Sequence, residues 1–481
     1  MTTLIGGEML LWSDLDGSHG RPPDSGATLR SLLSQASGRT LVAGPHDPEL
    51  IGRLAQPTVL VRGDADAALL SSSGVAVLCG SLEKLAASPE YDTVIALDGL
   101  DRLLSAEAEP HSWSETLDLL LAVLKPGGRL LLGVQNLFGV DRLVALPAAP
   151  TDAEWEVPDD HDPARPAGHA GLLAHLTVRG LQVERDYAAY PSLSSPTVLL
   201  SREILASPDL SGTLEAAVVT AVQPSTNVLT DPARLATAAV RNGLAAELAP
   251  AWFVIARRAA GALPSVRGEA ADAVINGAEF RLPDVALPRG RTLQDHLLAA
   301  AQRRDLPTMR DLLSTWQSAP AAGVPAGQIV VTADGDLTAL APAGEPLSAL
   351  RAFAREAIAG GYAHLWPIPA DEAELTAVLA GMTGRELEPS DVPPADEPPA
   401  HAVADLLADR DRLTRELSEA KAKHEWYEQM LFRREAELKR VRQMNALLSA
   451  TIPGKAATSL VGGLRAGKRA MRSVVRRTRG N

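Results

Sequence analysis

Short apolar runs alternate with helical patterns between residues 24 and 205. The runs have the length of buried strands, and the segments between them have helical periodicity, as in Trp113–Leu124. Strands separated by helices need crossover connections, so the pattern predicts an α/β fold with a doubly wound, mostly parallel, Rossmann-like sheet. The last two runs could pair as an antiparallel edge. The predicted strands are Thr40–Ala43, Val59–Arg62, Val75–Leu78, Thr93–Leu97, Arg129–Val134, Leu181–Arg185 and Thr197–Leu200.

Residues 206–388 have a vaguer pattern, in which Ala- and Leu-rich helices surround one predicted hairpin. The hairpin covers Gln328–Ala339 and turns at Asp334-Gly335, a dipeptide that favours tight turns. The region therefore predicts an α+β or helical companion domain behind a first domain at 1–205. The predicted helices are Ala233–Leu248, Leu293–Gln317, Leu347–Ala359 and Asp371–Met382.

A Pro-rich linker at residues 389–402 precedes a heptad pattern at 403–451. Eleven positions follow an unbroken 4-3 spacing, which is typical of a coiled coil, and Asn445 at this seam favours a fixed register. We predict a homo-oligomer formed through Leu413–Leu448, with a single amphipathic helix packed on the body as the alternative. The seam positions are Leu413, Leu417, Ala420, His424, Tyr427, Leu431, Arg434, Leu438, Val441, Asn445 and Leu448.

The net charge of −13 is unevenly distributed. Residues 452–481 contain eight Lys and Arg residues and no Asp or Glu, so the rest of the chain carries a net charge of −21. An acidic body argues against nucleic acid as a partner. The basic tail has apolar residues on one helical face, which predicts contact with an anionic membrane surface; a solvated disordered tail is the alternative.

The single cysteine, Cys79, excludes an internal disulfide and a cysteine-based zinc site, and no other motif predicts a metal site. The first twenty residues lack a basic segment ahead of their apolar residues, so no signal peptide is expected. No run reaches the ~18 apolar residues of a membrane span. We therefore expect a cytoplasmic protein, held at the inner face of the membrane if the tail binds lipid.

The strongest local motif lies in the first domain. The strand Thr93–Leu97, within the segment Tyr91–Leu103, is followed by a helix at Glu115–Leu124, a Lys-Pro-Gly-Gly turn at residues 125–128 and the strand Arg129–Val134. The order and spacing of these segments resemble the class I S-adenosylmethionine-dependent methyltransferases. The resemblance implies S-adenosylmethionine as the cofactor, bound beyond the carboxyl ends of the parallel strands.

The same resemblance implies which residues would hold that cofactor. Asp64, with Asp66 as a close substitute, matches the acid that accepts the ribose hydroxyls. Gly80 and Ser81 match the segment that flanks the adenine.

Asp98 matches the position where cofactor and methyl acceptor meet, so it is a cofactor-binding residue and the candidate catalytic residue. His161 and His169 are further candidate bases by location only. For each histidine, a solvent-facing loop residue is the alternative.

The loop after the first strand departs from the family pattern, which reads VLEVGCGTG. Only Gly44 remains of its three glycines, because His46 and Pro48 stand in place of the other two. Val42 stands in place of the acid of the family pattern. Glycine is used in such loops because a Cβ would block close approach of a ligand to the backbone. Two hypotheses follow. The first is methyl transfer to a glycan or to a cell-envelope or secondary-metabolite precursor; the second is an inactive scaffold that organises glycosyltransferases.

Residues 206–388 diffusely resemble the kinase-like region of polysaccharide assembly proteins. The metal-binding Asn of that region is Gln328 here and its acid is apolar, whereas phosphoryl transfer needs both to hold Mg²⁺. The resemblance therefore implies a companion domain inactive in phosphotransfer. The order of methyltransferase-like domain, companion, coiled coil and basic tail resembles the bifunctional proteins that terminate bacterial O-antigen chains, which implies a glycan or small-molecule acceptor at the membrane.

Overall fold

Apolar runs that are buried on both faces build the central sheet of the protein. The structure is a computed structural model that describes residues 2–145, 162–222, 228–259, 272–281, 287–360, 362, 365–366, 371–392, 403–450 and 461–468. The chain divides into two units, residues 1–403 and residues 404–481. The strands of the central sheet are β1 (Thr2–Gly6), β2 (Thr40–Ala43), β3 (Thr58–Val61), β4 (Ala76–Gly80), β5 (Tyr91–Ala96), β6 (Leu124–Gln135), β7 (Leu181–Tyr190), β8 (Val198–Ser201), β9 (Ala251–Arg258), β10 (Asp272–Ile275) and β11 (Ala278–Arg281).

Among the described residues these strands form one sheet in the order β1-β4-β3-β2-β5-β6-β9-β7-β8-β10-β11. The six strands from β1 to β6 are parallel, and each later neighbour is antiparallel to the one before it. The strand order reverses between β2 and β5. The predicted doubly wound α/β sheet is therefore confirmed. β7 and β8 pair antiparallel as predicted, but they do not form the edge of the sheet, because β10 and β11 lie beyond β8.

Helices cover both faces of this sheet. Side chains alternate along each strand, so that Val42 points into one core with Leu29 while Leu41 points into the opposite core with Leu117. The helices are α1 (Ala27–Leu33), α2 (Pro48–Ile51), α3 (Asp64–Ser72), α4 (Trp113–Val123), α5 (Val140–Val144), α6 (Gly168–Val178), α7 (Arg202–Leu205), α8 (Ser211–Ala221) and α9 (Pro232–Arg241).

The sheet extends past residue 205, where the sequence predicted the first domain to end. β9 lies between β6 and β7, where Ile255 is the cross-strand partner of Leu131 on one side and of Arg185 on the other. β10 and β11 then extend the sheet beyond β8. The boundary at 205 was wrong because these strands pair with residues far away in the sequence, which leaves no local signal.

The companion region packs four helices around a small antiparallel sheet, and the hairpin predicted at 328–339 is confirmed. The predicted helix Leu293–Gln317 is two helices, because the backbone at Arg304 takes a φ of 55° between them. Among the described residues, no group of three or more His, Cys, Asp or Glu side chains is arranged to hold a metal ion. The elements are β12 (Arg291–Thr292), α10 (Leu293–Gln302), α11 (Leu306–Ser318), β13 (Ile329–Val331), β14 (Leu337–Ala339), α12 (Pro346–Ala359) and α13 (Glu372–Met382).

The described residues of the second unit form one long helix, α14 (Val403–Ala450), and a helical segment at residues 461–468. The predicted coiled-coil segment is thus one uninterrupted helix of 48 residues. Residues 452–460 and 469–481 of the predicted basic tail lie outside the described residues, so membrane contact stays a prediction. No helix in the described part of the chain is long and apolar enough to cross a membrane.

Candidate functional site

The carboxyl ends of the parallel strands meet at one edge of the sheet, and ligands of doubly wound sheets bind there near the point where strand order reverses. The structure brings most predicted site residues to this edge. Gly44 follows β2, Gly80 ends β4, and Asp98 lies two residues beyond β5. Asp64 also lies at this edge, three residues beyond β3, as the first residue of α3, and the residue directly beyond β3 is Arg62. We call this edge the tip row.

A segment at the N-terminus crosses the tip row. It joins β1 to α1 and contains residues 7–24, which we call the strap. Met9 pairs with Gly63 beyond β3, the carbonyl of Pro23 accepts from the Asp47 N–H beyond β2, and Asp24 reaches Ser194 beyond β7. The strap therefore lies across the region that the family resemblance assigns to the cofactor.

The carboxylates of α3 bind the strap. Asp64 Oδ1 accepts a hydrogen bond of 2.8 Å from the Leu11 N–H. Asp66 accepts from the Ser13 hydroxyl at 2.5 Å and from the Asp14 N–H at 2.8 Å. Burial raises the pKa of the Asp66 carboxyl, against the lowering effect of these donors. Both acids assigned to the ribose are thus engaged by the chain itself.

A buried ion pair fastens the middle of the strap. The Arg62 guanidinium donates to both carboxylate oxygens of Asp14, at 2.8 and 2.9 Å, and also to the carbonyl of Leu104 at 3.1 Å. The Asp14 side chain is 2% exposed and that of Arg62 is 9% exposed. Two parallel bonds between ionised groups form one of the strong polar contacts of proteins. The Trp12 ring lies 5.3 Å from the guanidinium carbon and shields the pair.

Asp98 forms a second ion pair under the strap. Its carboxylate accepts two bonds from Arg102, at 2.7 and 2.5 Å, and its side chain is 7% exposed. Burial raises the pKa of the Asp98 carboxyl to about 6, although the guanidinium lowers it. Arg102 also donates to the strap carbonyls of His19 and Gly20. The candidate catalytic acid is therefore a structural anchor for the strap in this arrangement.

His46 fills the loop beyond β2. Its imidazole is 1% exposed, its Nε2 accepts from the Leu97 N–H at 3.2 Å, and its Nδ1 lies 3.1 Å from the Gly44 carbonyl. These contacts fit the neutral ring with its proton on Nδ1, and burial lowers the pKa of His46 to about 4. The ring bridges β2 and β5 at the point where strand order reverses. Pro48, by contrast, is exposed and starts α2 behind the cap Asp47, as predicted.

Two glycines at the tip row, Gly63 and Gly80, allow the backbone of the N-terminal segment to pass close to the sheet. A Cβ on Gly80 would lie 2.4 Å from the Gly6 carbonyl oxygen, and one on Gly63 would lie 2.3 Å from that of Trp12. Ser81 is buried, and its hydroxyl accepts from the Ser105 N–H at 3.1 Å. Gly80 and Gly63 thus make room for the N-terminal segment of the chain.

The two candidate histidines have different outcomes. His161 lies outside the described residues. His169 is not a solvent-facing loop residue, because it is 3% exposed and its Nε2 lies 3.1 Å from the buried carboxylate of Asp186. Its backbone N–H donates to Glu247, whose carbonyl also holds the side chain of Asn136 at the end of β6. This second buried cluster adjoins the tip row at β6.

The closed arrangement does not fit S-adenosylmethionine, because the predicted cofactor-binding side chains are already hydrogen-bonded within the chain: Asp64 and Asp66 to the strap, Asp98 to Arg102, and Ser81 to Ser105. Sequence reasoning missed three of the residues responsible. Arg102 has a local signal, since it lies one helical turn after Asp98. Arg62 and Asp14 are 48 residues apart, and no local pattern links them.

No family model matches the chain, and no curated protein matches its sequence. Several solved structures are similar to it in fold. A methyltransferase from Archaeoglobus fulgidus that depends on S-adenosylmethionine has 13% identity over 48% of this chain and 92% of its own, with a TM-score of 0.27. Another from Mesorhizobium loti has 14% identity over 48% and 95%, with a TM-score of 0.26. The cyclase SpnF has 18% identity over 49% and 81%, with a TM-score of 0.26. At these values the likenesses leave the reaction undetermined.

Proposed function

We propose that this chain is an S-adenosylmethionine-dependent methyltransferase whose cofactor site is closed by its own strap. The observation that supports the proposal is that three carboxylates at the tip row, Asp64, Asp66 and Asp98, are occupied by the strap or its anchor rather than absent. Once the strap lifts, Asp64 and Asp66 present acceptors for hydroxyl and ammonium groups where the family resemblance places the nucleoside, while Asp98 keeps its pair with Arg102. The proposed acceptor is a glycan or a cell-envelope or secondary-metabolite precursor.

The strap is held in a way that permits release. Of its residues only Asp14 and Pro23 are buried, and Leu10 and Leu11 are 76% and 96% exposed. Hydrogen bonds and ion pairs therefore fix most of it in place, and its apolar packing is limited to residues such as Leu15 and Pro23. When the strap lifts, water solvates both Asp14 and Arg62, so opening avoids leaving one buried charge alone. Segments with few buried apolar contacts open at low free energy.

A scaffold without cofactor is the second candidate, and His46 favours it. Its ring stays between β2 and β5 when the strap lifts, because its hydrogen bonds go to Gly44 and Leu97 and not to the strap. A chain that never binds the nucleoside would use its fold only to position partners. The two candidates differ in whether an opened strap exposes a cofactor site.

The substitution Gly63→Ala tests this difference. The φ of Gly63 is −88°, which alanine adopts without strain, and the three atoms nearest to the added Cβ all belong to Trp12 of the strap. We expect the full chain carrying Gly63→Ala to bind S-adenosylmethionine at least about tenfold more tightly than the wild type in isothermal titration calorimetry. The reason is that the apparent dissociation constant equals the intrinsic one divided by the fraction of molecules whose strap is open, and the substitution raises that fraction. Gly171→Ala is the matched control, since nothing lies within 4 Å of its Cβ.

Each outcome of this titration decides between the candidates. Tighter binding by Gly63→Ala alone supports a methyltransferase closed by its strap. Equal binding by wild type and variant would show that the strap covers no cofactor site. No binding by either at millimolar cofactor, with hydrogen exchange confirming that the strap has opened in Gly63→Ala and that β5 and β6 stay protected, would overturn methyl transfer and leave the scaffold.

A further inference from the structure

The helix α14 exposes a continuous apolar seam. Six of its heptad side chains are each more than half exposed in the described chain: Leu413, Leu417, Tyr427, Leu431, Leu438 and Val441. Soluble proteins rarely leave such a contiguous apolar surface uncovered. Spacing assigns Leu417, His424, Leu431, Leu438 and Asn445 to position a, and Leu413, Ala420, Tyr427, Arg434 and Val441 to position d.

The charges beside this seam distinguish between the possible arrangements. In a parallel, in-register coiled coil, each g residue faces the e residue five positions later on the partner helix. Three such pairs in this helix carry charge at both positions, and all three are opposite in sign. The pairs are Glu416 with Lys421, Lys423 with Glu428, and Glu437 with Arg442.

An antiparallel pair that overlaps the full seam has different neighbours, because e then faces e and g faces g. Two of the resulting contacts are repulsive and one is attractive. The repulsive pairs are Lys421 with Arg442 and Glu428 with Glu435, and the attractive pair is Lys423 with Glu437. Like charges at these positions disfavour the antiparallel pair, while the opposite charges listed above favour the parallel pair.

We propose that α14 docks on α14 of a second copy of this chain as a parallel, in-register, two-stranded coiled coil about 50 Å long. Asn445 at position a supports two strands, because two buried amides pair across the axis only when the helices are in register. His424 and Arg434 weaken the seam and make the flanking charges more important. Both chains then enter the coil at the same end. The proposal is independent of any methyl transfer.

Cysteine cross-linking of the full chain tests the orientation. The one native cysteine, Cys79, is fully buried and burial raises the pKa of its thiol to about 11, so it stays unreactive. We expect Val441→Cys alone to form a disulfide-linked dimer on mild oxidation, because the two d positions face each other. In an antiparallel pair Val441→Cys would cross-link only when mixed with Leu417→Cys, and that result would overturn the proposal.

Charge exchange and mass measurement complete the test. Glu437→Arg places arginine opposite Arg442 twice per dimer, so the dissociation constant should rise roughly tenfold at low salt. Adding Arg442→Glu should restore it, and Glu419→Arg at position c should leave it unchanged. Light scattering of the wild-type chain should give twice 50.6 kDa. A monomer mass, or a mass of three or more chains, would contradict a two-stranded coil.

Discussion

Replacing Arg62 with methionine is expected to increase hydrogen exchange at the strap amides of Met9, Leu11 and Asp14 by roughly a hundred- to thousand-fold. The substitution removes the cation from the 2% exposed Asp14 carboxylate, and breaking one side of a buried pair costs about 3–5 kcal/mol. Opening of the strap removes this free-energy cost, because the Asp14 carboxylate is then solvated by water. Amide exchange followed by mass spectrometry measures the change directly, and protection in β5 and β6 should be retained.

Two controls separate the ion pair from a general loss of stability. The double substitution Asp14→Leu with Arg62→Met should return strap exchange to within about tenfold of the wild type, since apolar residues often replace a buried pair without loss. Arg53→Met breaks the ion pair between Arg53 and Glu49, in which the two side chains are 56% and 61% exposed. This substitution should not change hydrogen exchange at the strap measurably. Unchanged strap exchange in Arg62→Met would show that the pair does not hold the strap.

His46→Gln is expected to change how stability depends on pH. The buried imidazole has a pKa of about 4 in the folded chain and about 6.5 when unfolded, so between these values only the unfolded state binds the proton. Stability conferred by neutral His46 is therefore complete above pH 6.5 and is lost as the pH falls to 4. The difference in free energy of unfolding between wild type and His46→Gln should increase by about 3 kcal/mol from pH 4 to pH 7.

Urea unfolding followed by tryptophan fluorescence measures this difference, with Trp426→Phe in both proteins so that every remaining tryptophan belongs to the first unit. Asp98 has the opposite sign, because its folded pKa of about 6 lies above the unfolded value and its contribution decreases as the pH rises from 3.8 to 6. Asp98 is present in both proteins and changes the pH dependence of their free energies of unfolding by the same amount. Its contribution therefore cancels when one free energy is subtracted from the other. A difference that does not vary with pH would show that His46 is not held neutral.

The strands that could be predicted are those that carry their own signal. β2, β3, β5 and β6 are apolar runs with helices between them, and their burial on both faces follows from that pattern alone. β9 has an apolar sequence too, but its place between β6 and β7 depends on pairing with residues far away in the chain. The break at Arg304 was missed for a different reason, since helical periodicity continues through it.

At the candidate site, the sequence was sufficient to predict which residues lie at the tip row, but not that the strap covers them. Gly44, Gly80, Ser81 and Asp98 lie at or near the tip row because a βα unit fixes where each strand ends. The strap has no periodicity, and its partners are set by contacts such as that between Asp14 and Arg62, which only the folded chain creates. Asp64 lies beyond β3 as the sequence predicts, but it belongs to the first turn of α3 rather than to a loop.

The strap is fixed at both ends, by β1 on the sheet edge and by α1 on the sheet face. It can therefore lift only as a bowed loop, and its residues remain near their partners when it does. A soluble molecule competing for Asp66 or Arg62 faces an intramolecular rival at an effective concentration in the millimolar range. A cut within the strap would remove that advantage, so limited proteolysis is expected to leave the strap open for much longer than thermal opening does.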